Sequence, residues 1–170
     1  MSAERTSPKL ALRPMLPADV PDLAEIFRAA IEELTADDYT EAQQAAWASA
    51  AEDEEEFGQK LSGALTLVVT FGGAAIGFAS LADNKKIDML YVHPAAAGQG
   101  AGALLADALE KLAAGRGSTE LTVDASDSAR GFFEKRGFAP RTRNTVTVGS
   151  EWLANTTMSK TLPPHQGSVQ

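Results

Sequence analysis

The stretch IDMLYVHPAAAGQGAGALLADAL, residues 87–109, places a strand, a glycine-rich loop and a helix in direct succession. The loop holds three glycines in five positions: Gly98, Gly100 and Gly102. Leucines and alanines then recur at helical spacing as far as Gly115, a typical helix end. Glycines admit a ligand oxygen close to the backbone, and the N–H groups at a helix start attract anions. This stretch therefore predicts an anion-binding loop.

Two common phosphate-binding loops do not fit it. A Walker A loop needs Lys and then Ser or Thr after its last glycine, where this chain has Ala103 and Leu104. The dinucleotide fingerprint needs a βαβ unit, but residues 64–92 alternate like an antiparallel meander. A glycine-rich connection without a ligand is the structural alternative.

Length and composition exclude several classes of protein. The 170 residues fit one domain, and 44% hydrophobic with 22% charged residues is typical of a soluble globular protein. The absence of Cys excludes disulfides, thiolate nucleophiles and Cys-based metal sites. His93 is isolated in a predicted loop and His165 in a tail expected to be inert, so no metal site is expected. Without a signal peptide or membrane span, a cytoplasmic protein with no membrane partner is predicted.

A single α+β domain is predicted over residues 9–162, between tails 1–8 and 163–170 that lack apolar anchors. A strand, a helix with apolar residues at helical spacing and two short helices come first. Three strands, the loop with its helix, a strand, a helix and two final strands follow. The predicted elements span residues 9–13, 20–34, 40–50, 52–61, 65–71, 75–81, 86–92, 104–115, 121–124, 126–136, 142–148 and 152–160.

The glycine-loop stretch and LTVDASDSARGFFEKRGF, residues 121–138, together resemble the GNAT acetyltransferase superfamily. The motifs cover about residues 85–138, and the order of elements covers about residues 8–162. The resemblance implies an acyltransferase that moves an acetyl group from acetyl-CoA to an amine, without a metal. It also implies a central, mostly antiparallel sheet, flanked by helices, that splays open after the 86–92 strand. The pantetheine arm would pair there with exposed backbone groups.

The resemblance further implies which residues bind the cofactor. They are Leu90, Tyr91, Val92, Ala97, Gly98, Gln99, Gly100, Ala101, Gly102, Ala103, Ser126, Ala129, Phe132 and Phe133. The backbone of Leu90 and Val92 is expected to contact the pantetheine, and the Leu90 N–H to polarise the thioester carbonyl. Ala97 stands where the family usually has Arg or Gln, which predicts weaker phosphate binding, with Gln99 as a compensating contact.

Two carboxylates are candidates for the general base. Asp88 is the first, because strand alternation places it on the face of Leu90 and Val92. Its alternative is an ion pair with Lys85 or Lys86. Asp124, at the end of the next predicted strand, is the second candidate, and its alternative is to cap a turn or helix.

The source of the leaving thiolate's proton is open. Phe133 stands where the family commonly has Tyr and has no hydroxyl. Ser126, Tyr91 or water would donate, or the thiolate would leave unassisted. Ser126 is a catalytic candidate that is also expected to hydrogen-bond the cofactor, to cap the helix over residues 126–136, or both.

The acceptor is expected to meet residues 18–57, where thirteen acidic residues and one basic residue give a net charge of −12. The remaining fourteen basic and ten acidic residues give +4, so the whole chain carries −8. Such a field predicts a cationic amine acceptor, such as a polyamine, an aminoglycoside-like amine or a Lys side chain. Its alternative is a solvated helix face. Tyr39 and Trp47 would line the acceptor pocket or anchor the core.

Three further possibilities concern the function and the partners of the protein. A noncatalytic acyl-CoA-binding or sensory module would keep the fold and the glycine loop without the chemistry. Acetylation of nucleic acid is disfavoured, and no nucleic-acid partner is expected, because the first third of the chain is acidic. Exposed sheet edges make a homodimer possible.

Overall fold

The computed structural model describes residues 9–164, which form one seven-stranded sheet in the order β1-β2-β3-β4-β5-β7-β6. Every neighbouring pair is antiparallel except β4 and β5, which are parallel. The predicted mixed α+β fold with a mostly antiparallel sheet is confirmed. Tail residues 1–8 and 165–170, including His165, lie outside the described residues. The strands are β1 (Leu10–Pro14), β2 (Leu65–Phe71), β3 (Ala74–Ala82), β4 (Lys86–Val92), β5 (Glu120–Ser126), β6 (Ala139–Val148) and β7 (Glu151–Thr161).

In the described part of the chain, five α-helices flank the sheet: α1 (Val20–Leu34), α2 (Glu41–Ala48), α3 (Glu54–Ser62), α4 (Ala101–Gly115) and α5 (Arg130–Lys135). Local capping explains two of their starts. Thr40 and Gln43 form a capping box at α2, in which each side chain accepts from the other residue's N–H. Asp53 accepts from the N–H of Glu56 at the acidic start of α3. No helix within residues 9–164 is long and apolar enough to cross a membrane.

The sheet separates two hydrophobic cores. One face packs against α4 and α5, with Leu105, Leu109 and Phe133 buried among the strands. The other face packs against α1, α2 and α3, with Phe27 and Phe57 buried against β3 and β4. The two cores give the sheet a helical layer on each side, which is the arrangement that a half-buried mixed sheet needs.

A slot opens in the sheet between β4 and β5. These strands pair at only two positions, Lys86 with Thr122 and Ile87 with Val123, and then diverge. β5 remains paired with β7 over its full length from Glu120 to Ser126. The sheet therefore splays open as predicted, but the opening begins inside β4, after Ile87, and not after the whole strand over residues 86–92. It leaves backbone groups of β4 without a neighbouring strand.

The helix predicted over residues 126–136 is shorter than expected. Ser126 is the last residue of β5 and pairs with Asn155 of β7, so α5 begins only at Arg130. The Ser126 Oγ accepts from the Ala129 N–H at 3.1 Å. Ser126 thus caps the turn before α5 and not the helix itself, because pairing with β7 extends the strand.

An ion pair fastens β1 to the chain entering α1. The Arg13 guanidinium donates two hydrogen bonds, of 2.7 and 2.8 Å, to the buried Asp19 carboxylate, which also accepts from the Leu16 N–H. The hydrogen bonds from Arg13 hold the pKa of the Asp19 carboxyl below its ordinary value. This contribution to stability is complete above about pH 4 and is lost as the pH falls through the folded pKa.

We therefore expect Asp19→Asn to lower the free energy of unfolding at pH 7 by about 1–3 kcal/mol. At pH 2 the difference from the native protein should be smaller, because protonation of Asp19 removes the charge that binds Arg13. Urea denaturation at the two pH values measures this. Asp22→Asn, at an exposed position of α1, is the control, and an equal deficit of Asp19→Asn at both pH values would contradict the assignment.

Candidate active site

A cavity of about 440 Å³ passes through the slot between β4 and β5. It touches members of both cores, since Ile31 and Met89 line it from one layer, and Ala101 and Phe133 from the other. The two halves meet at the point of divergence, where Asp88, Leu90 and Asp124 line the wall. Two ligands that enter from opposite faces of the sheet can therefore meet inside it.

A β-bulge at Asp88 decides which backbone groups face the slot. Ile87 pairs with Leu81 and Met89 with Ser80, so Asp88 is an extra residue in β4. Before the bulge, the Lys85 carbonyl accepts from Thr122 in β5; after it, the His93 N–H donates to Ile76 in β3. In an unbroken strand, the backbone groups of residues 85 and 93 would point toward the same neighbouring strand. Backbone alternation after the bulge turns the N–H and C=O groups of Leu90 and Val92 toward the slot.

The bulge also overturns the expectation that Asp88 shares a face with Leu90 and Val92. Leu90 and Val92 pack with the α4 core, whereas Met89 packs with the α1 core. Asp88 lies on the Met89 side, where its carboxylate is 3.9 Å from the Lys60 ammonium of α3. Neither Lys85 nor Lys86 is its partner. The side chain of Asp88 is one-quarter exposed and lines the cavity.

The glycine loop offers a row of backbone donors at one end of the cavity. Gly98 and Gly100 have φ angles of +81° and +88°, which favour glycine. α4 begins directly after Gly100, and its first helical hydrogen bond runs from Leu104 to the Gly100 carbonyl. Within residues 9–164, none of the six N–H groups from Gly98 to Ala103 donates to a protein acceptor. The loop can thus hold an anion such as a diphosphate.

The side chains around this loop are apolar. An added Cβ at Gly102 would lie 3.4 Å from Phe132 and 3.8 Å from Leu90, so the helix start packs closely against the slot. Ala97, Gly98, Gly100, Ala101, Gly102, Ala103, Ala129, Phe132 and Phe133 all line the cavity. The structure brings these predicted cofactor-binding residues together. Gln99 is exposed and does not line the cavity.

Asp124 is held by two neighbours. Its carboxylate accepts from the Lys86 ammonium at 2.8 Å and from the Thr157 hydroxyl at 2.7 Å. Burial raises the pKa of the Asp124 carboxyl, but the hydrogen bonds from Lys86 and Thr157 outweigh it and leave the pKa below its ordinary value. A carboxylate in this state accepts a proton poorly.

Three aromatic residues on or near the α1 side of the cavity occupy different places. Trp47 and Tyr91 line the cavity, and the Trp47 Nε1–H donates to the Tyr91 hydroxyl at 3.2 Å. Burial raises the pKa of the Tyr91 hydroxyl, so it stays protonated at neutral pH. Tyr39 is buried outside the cavity lining; its hydroxyl accepts from the Asp127 N–H and donates to the Ala154 carbonyl. Tyr39 therefore anchors the turn before α5.

Part of the cavity wall was not predicted from the sequence. Ile31, Leu34, Thr35 and Met89 also line the cavity. The apolar stripe of α1 could have indicated Ile31, Leu34 and the adjacent Thr35. This stripe is longer than the part of α1 that is buried in the core. His93 behaves as expected of a loop residue: its Nδ1 accepts from the Ala95 N–H. Within residues 9–164, no three metal-ligating side chains converge.

Comparison with known proteins gives concordant results. The family model described as "Acetyltransferase (GNAT) domain" matches residues 35–162. The uncharacterized N-acetyltransferase YafP of Escherichia coli K12 is 32% identical over 146 residues, covering 86% of this chain and 92% of YafP.

Two solved structures extend the comparison. The "GCN5-Related N-acetyltransferase: Aminotransferase, Class-II" of Rhodopseudomonas palustris is 57% identical, with a TM-score of 0.89, covering 95% of this chain and all of that one. The PaiA N-acetyltransferase of Thermoplasma acidophilum, solved with coenzyme A, has a TM-score of 0.74 at 21% identity, covering 90% and 99% of the two chains, and so shares the fold. The slot, the glycine loop and these matches agree: the chain belongs to the GNAT acetyltransferase family.

Proposed function

We propose that this acetyltransferase moves the acetyl group of acetyl-CoA directly to a primary amine inside the slot. The observation that carries the proposal is the single cavity that joins the donor loop of residues 98–103 to the Asp88 carboxylate across the sheet. Related structures hold coenzyme A or acetyl-CoA. The chain contains no Cys, so an acyl-cysteine intermediate is excluded.

Backbone groups hold the donor substrate in this proposal. The N–H groups of residues 98–103 bind the diphosphate of acetyl-CoA, helped by the positive end of α4. The free backbone groups of Leu90 and Val92 pair with the pantetheine amides as a neighbouring strand would. The Leu90 N–H then donates to the thioester oxygen, where negative charge develops. Phe132 and Ala129, which line the cavity on the α4 side, pack against the pantetheine arm.

Asp88 accepts the amine's proton, directly or through a water molecule. The neutral nitrogen attacks the thioester carbon, a C–N bond forms, the C–S bond breaks, and the electron pair leaves with the sulfur. The nitrogen is positively charged after the attack and loses its second proton. The thiolate takes one proton from the Ser126 hydroxyl, the Tyr91 hydroxyl or water, and the proton lost by the nitrogen restores that donor. Ser126 and Tyr91 both line the cavity. Asp124 is the second candidate base, but its hydrogen bonds to Lys86 and Thr157 suit a positioning role better.

The amine reaches Asp88 as a cation that the acidic surface of residues 18–57 attracts. Long-range attraction of this kind raises the encounter rate of ammonium ions and lowers that of carboxylates. The acceptor is therefore proposed to be cationic in solution and neutral only after Asp88 has taken its proton.

Calorimetry with acetyl-CoA, followed by thiol release over a panel of amines, tests the proposal. The expected result is binding of acetyl-CoA and release of one thiol for each acetylated amine. Binding without thiol release for any amine would support the noncatalytic acyl-CoA-binding module instead, and no binding of acetyl-CoA would exclude both functions.

A further inference from the structure

We infer that the acceptor carries one amino group on an apolar, aromatic body, as arylalkylamines do; this rests on the proposed function. The acceptor half of the cavity is the part lined from the α1 layer. Most of its wall consists of hydrophobic and aromatic side chains from α1, α2 and β4, and its polar members include Thr35, Asp88 and Asp124. The hydrophobic and aromatic members are Ala30, Ile31, Leu34, Trp47, Met89 and Tyr91. A wall of this composition stabilises an apolar ligand by removing its surface from water.

The carboxylates of the acidic segment do not face this wall. Twelve of the thirteen acidic residues in 18–57 are exposed, and Asp19 is buried in its pair with Arg13. None of the thirteen lines the cavity. Asp88 and Asp124 line the cavity, and Asp124 already accepts hydrogen bonds from Lys86 and Thr157, so Asp88 is the carboxylate left to receive an ammonium group. A polyamine or an aminoglycoside would bury further ammonium groups without a partner, which is costly.

Two polar side chains of the wall already have hydrogen-bond partners. The Thr35 hydroxyl donates to the Ile31 carbonyl and accepts from the Gln44 amide at 3.0 Å. The Tyr91 oxygen accepts from the Trp47 Nε1–H. Sugar hydroxyls and additional amines would therefore find few partners here. The acidic surface of residues 18–57 attracts the ammonium group, whereas the apolar wall of the cavity selects the part of the ligand to which that group is attached.

Two side chains favour a flat ligand. The Trp47 ring packs edge-on against Tyr39 and Tyr91, with centroids 5.4 and 6.4 Å away, so its position is set before a ligand enters. Leu34 ends α1 at the cavity and is 46% exposed, although it is a large apolar residue. A ligand that reaches from Asp88 to Leu34 would cover that exposed surface.

The test compares kcat/KM for 2-phenylethylamine, ethylamine and spermidine with acetyl-CoA as the donor. We expect 2-phenylethylamine to exceed each of the others by at least about 10-fold, because one buried aromatic ring is worth that much or more. Leu34→Ser should raise the KM for 2-phenylethylamine several-fold without changing the Kd for coenzyme A. Leu16→Ser is the matched control, since Leu16 is 55% exposed and does not line the cavity.

If spermidine or ethylamine is acetylated as efficiently as 2-phenylethylamine, the inference is overturned and the proposed acetyltransferase function remains intact. Equal KM changes in Leu34→Ser and Leu16→Ser would also overturn it. Absence of thiol release with all three amines would overturn the inference too, and the calorimetry with acetyl-CoA would then show whether the proposed function fails with it.

Discussion

Replacing Asp88 with Asn is expected to lower kcat for acetyl transfer by about 100-fold or more, with an unchanged Kd for acetyl-CoA. Asn keeps the shape of the side chain but cannot take the proton of the ammonium group, and general base catalysis is typically worth about 10²–10⁴-fold. Folding should be nearly unaffected, because the partner Lys60 is 61% exposed and 3.9 Å away. Steady-state kinetics from pH 6 to 10 measure the effect. The residual rate should rise with pH as more of the free amine is already neutral.

Asp124→Asn is the matched control, since both carboxylates line the slot at the point of divergence. We expect it to lower kcat by less than about 10-fold, because Asp124 is hydrogen-bonded to Lys86 and Thr157 with a lowered pKa. A larger loss in Asp124→Asn than in Asp88→Asn would transfer the role of general base to Asp124.

Replacing Gly100 with Ala should weaken coenzyme A binding by about 10- to 100-fold, the equivalent of one lost hydrogen bond to a charged group. Gly100 holds a φ of +88°, which costs an Ala residue about 1–2 kcal/mol. The strained loop would turn its N–H groups away from the diphosphate, and the new methyl group would stand at the cavity wall. Isothermal titration with coenzyme A measures the change.

Gly117 provides a control of nearly identical conformation at the other end of α4. Its φ is +91°, and like Gly100 it has no other atom within 4 Å of an added Cβ. Gly117→Ala should destabilise the protein as much as Gly100→Ala does, while leaving the Kd for coenzyme A unchanged. Equal losses of affinity in the two variants would show that the glycine loop acts only through stability.

The glycine loop could be predicted from the sequence because its determinants are local. Glycine conformation and the start of a helix depend on neighbouring residues, and the structure has both where the pattern indicates them. The bulge at Asp88 was not predicted. Ile87 and Leu90 lie three residues apart and pack in the same core, a spacing that fits a strand only if it contains one extra residue. That spacing was the available signal.

Contacts between distant residues explain the other differences. Ser126 was expected to start a helix, but its pairing with Asn155 in β7 is invisible to local patterns. The same holds for Tyr39, whose hydroxyl binds the turn at Asp127, 88 residues away. The charge of residues 18–57 could be counted from the sequence, but its location in the structure could not be predicted. A run of carboxylates has the same sequence pattern whether it lines a pocket or faces water.

A crystal structure of the protein with bound acetyl-CoA tests the central claim most directly. We expect diphosphate oxygens within hydrogen-bond distance of the N–H groups of residues 98–103. We also expect pantetheine amides between β4 and β5, paired with Leu90 and Val92, and a thioester carbon facing Asp88. Acetyl-CoA bound outside the slot, or with its diphosphate away from the glycine loop, would contradict it.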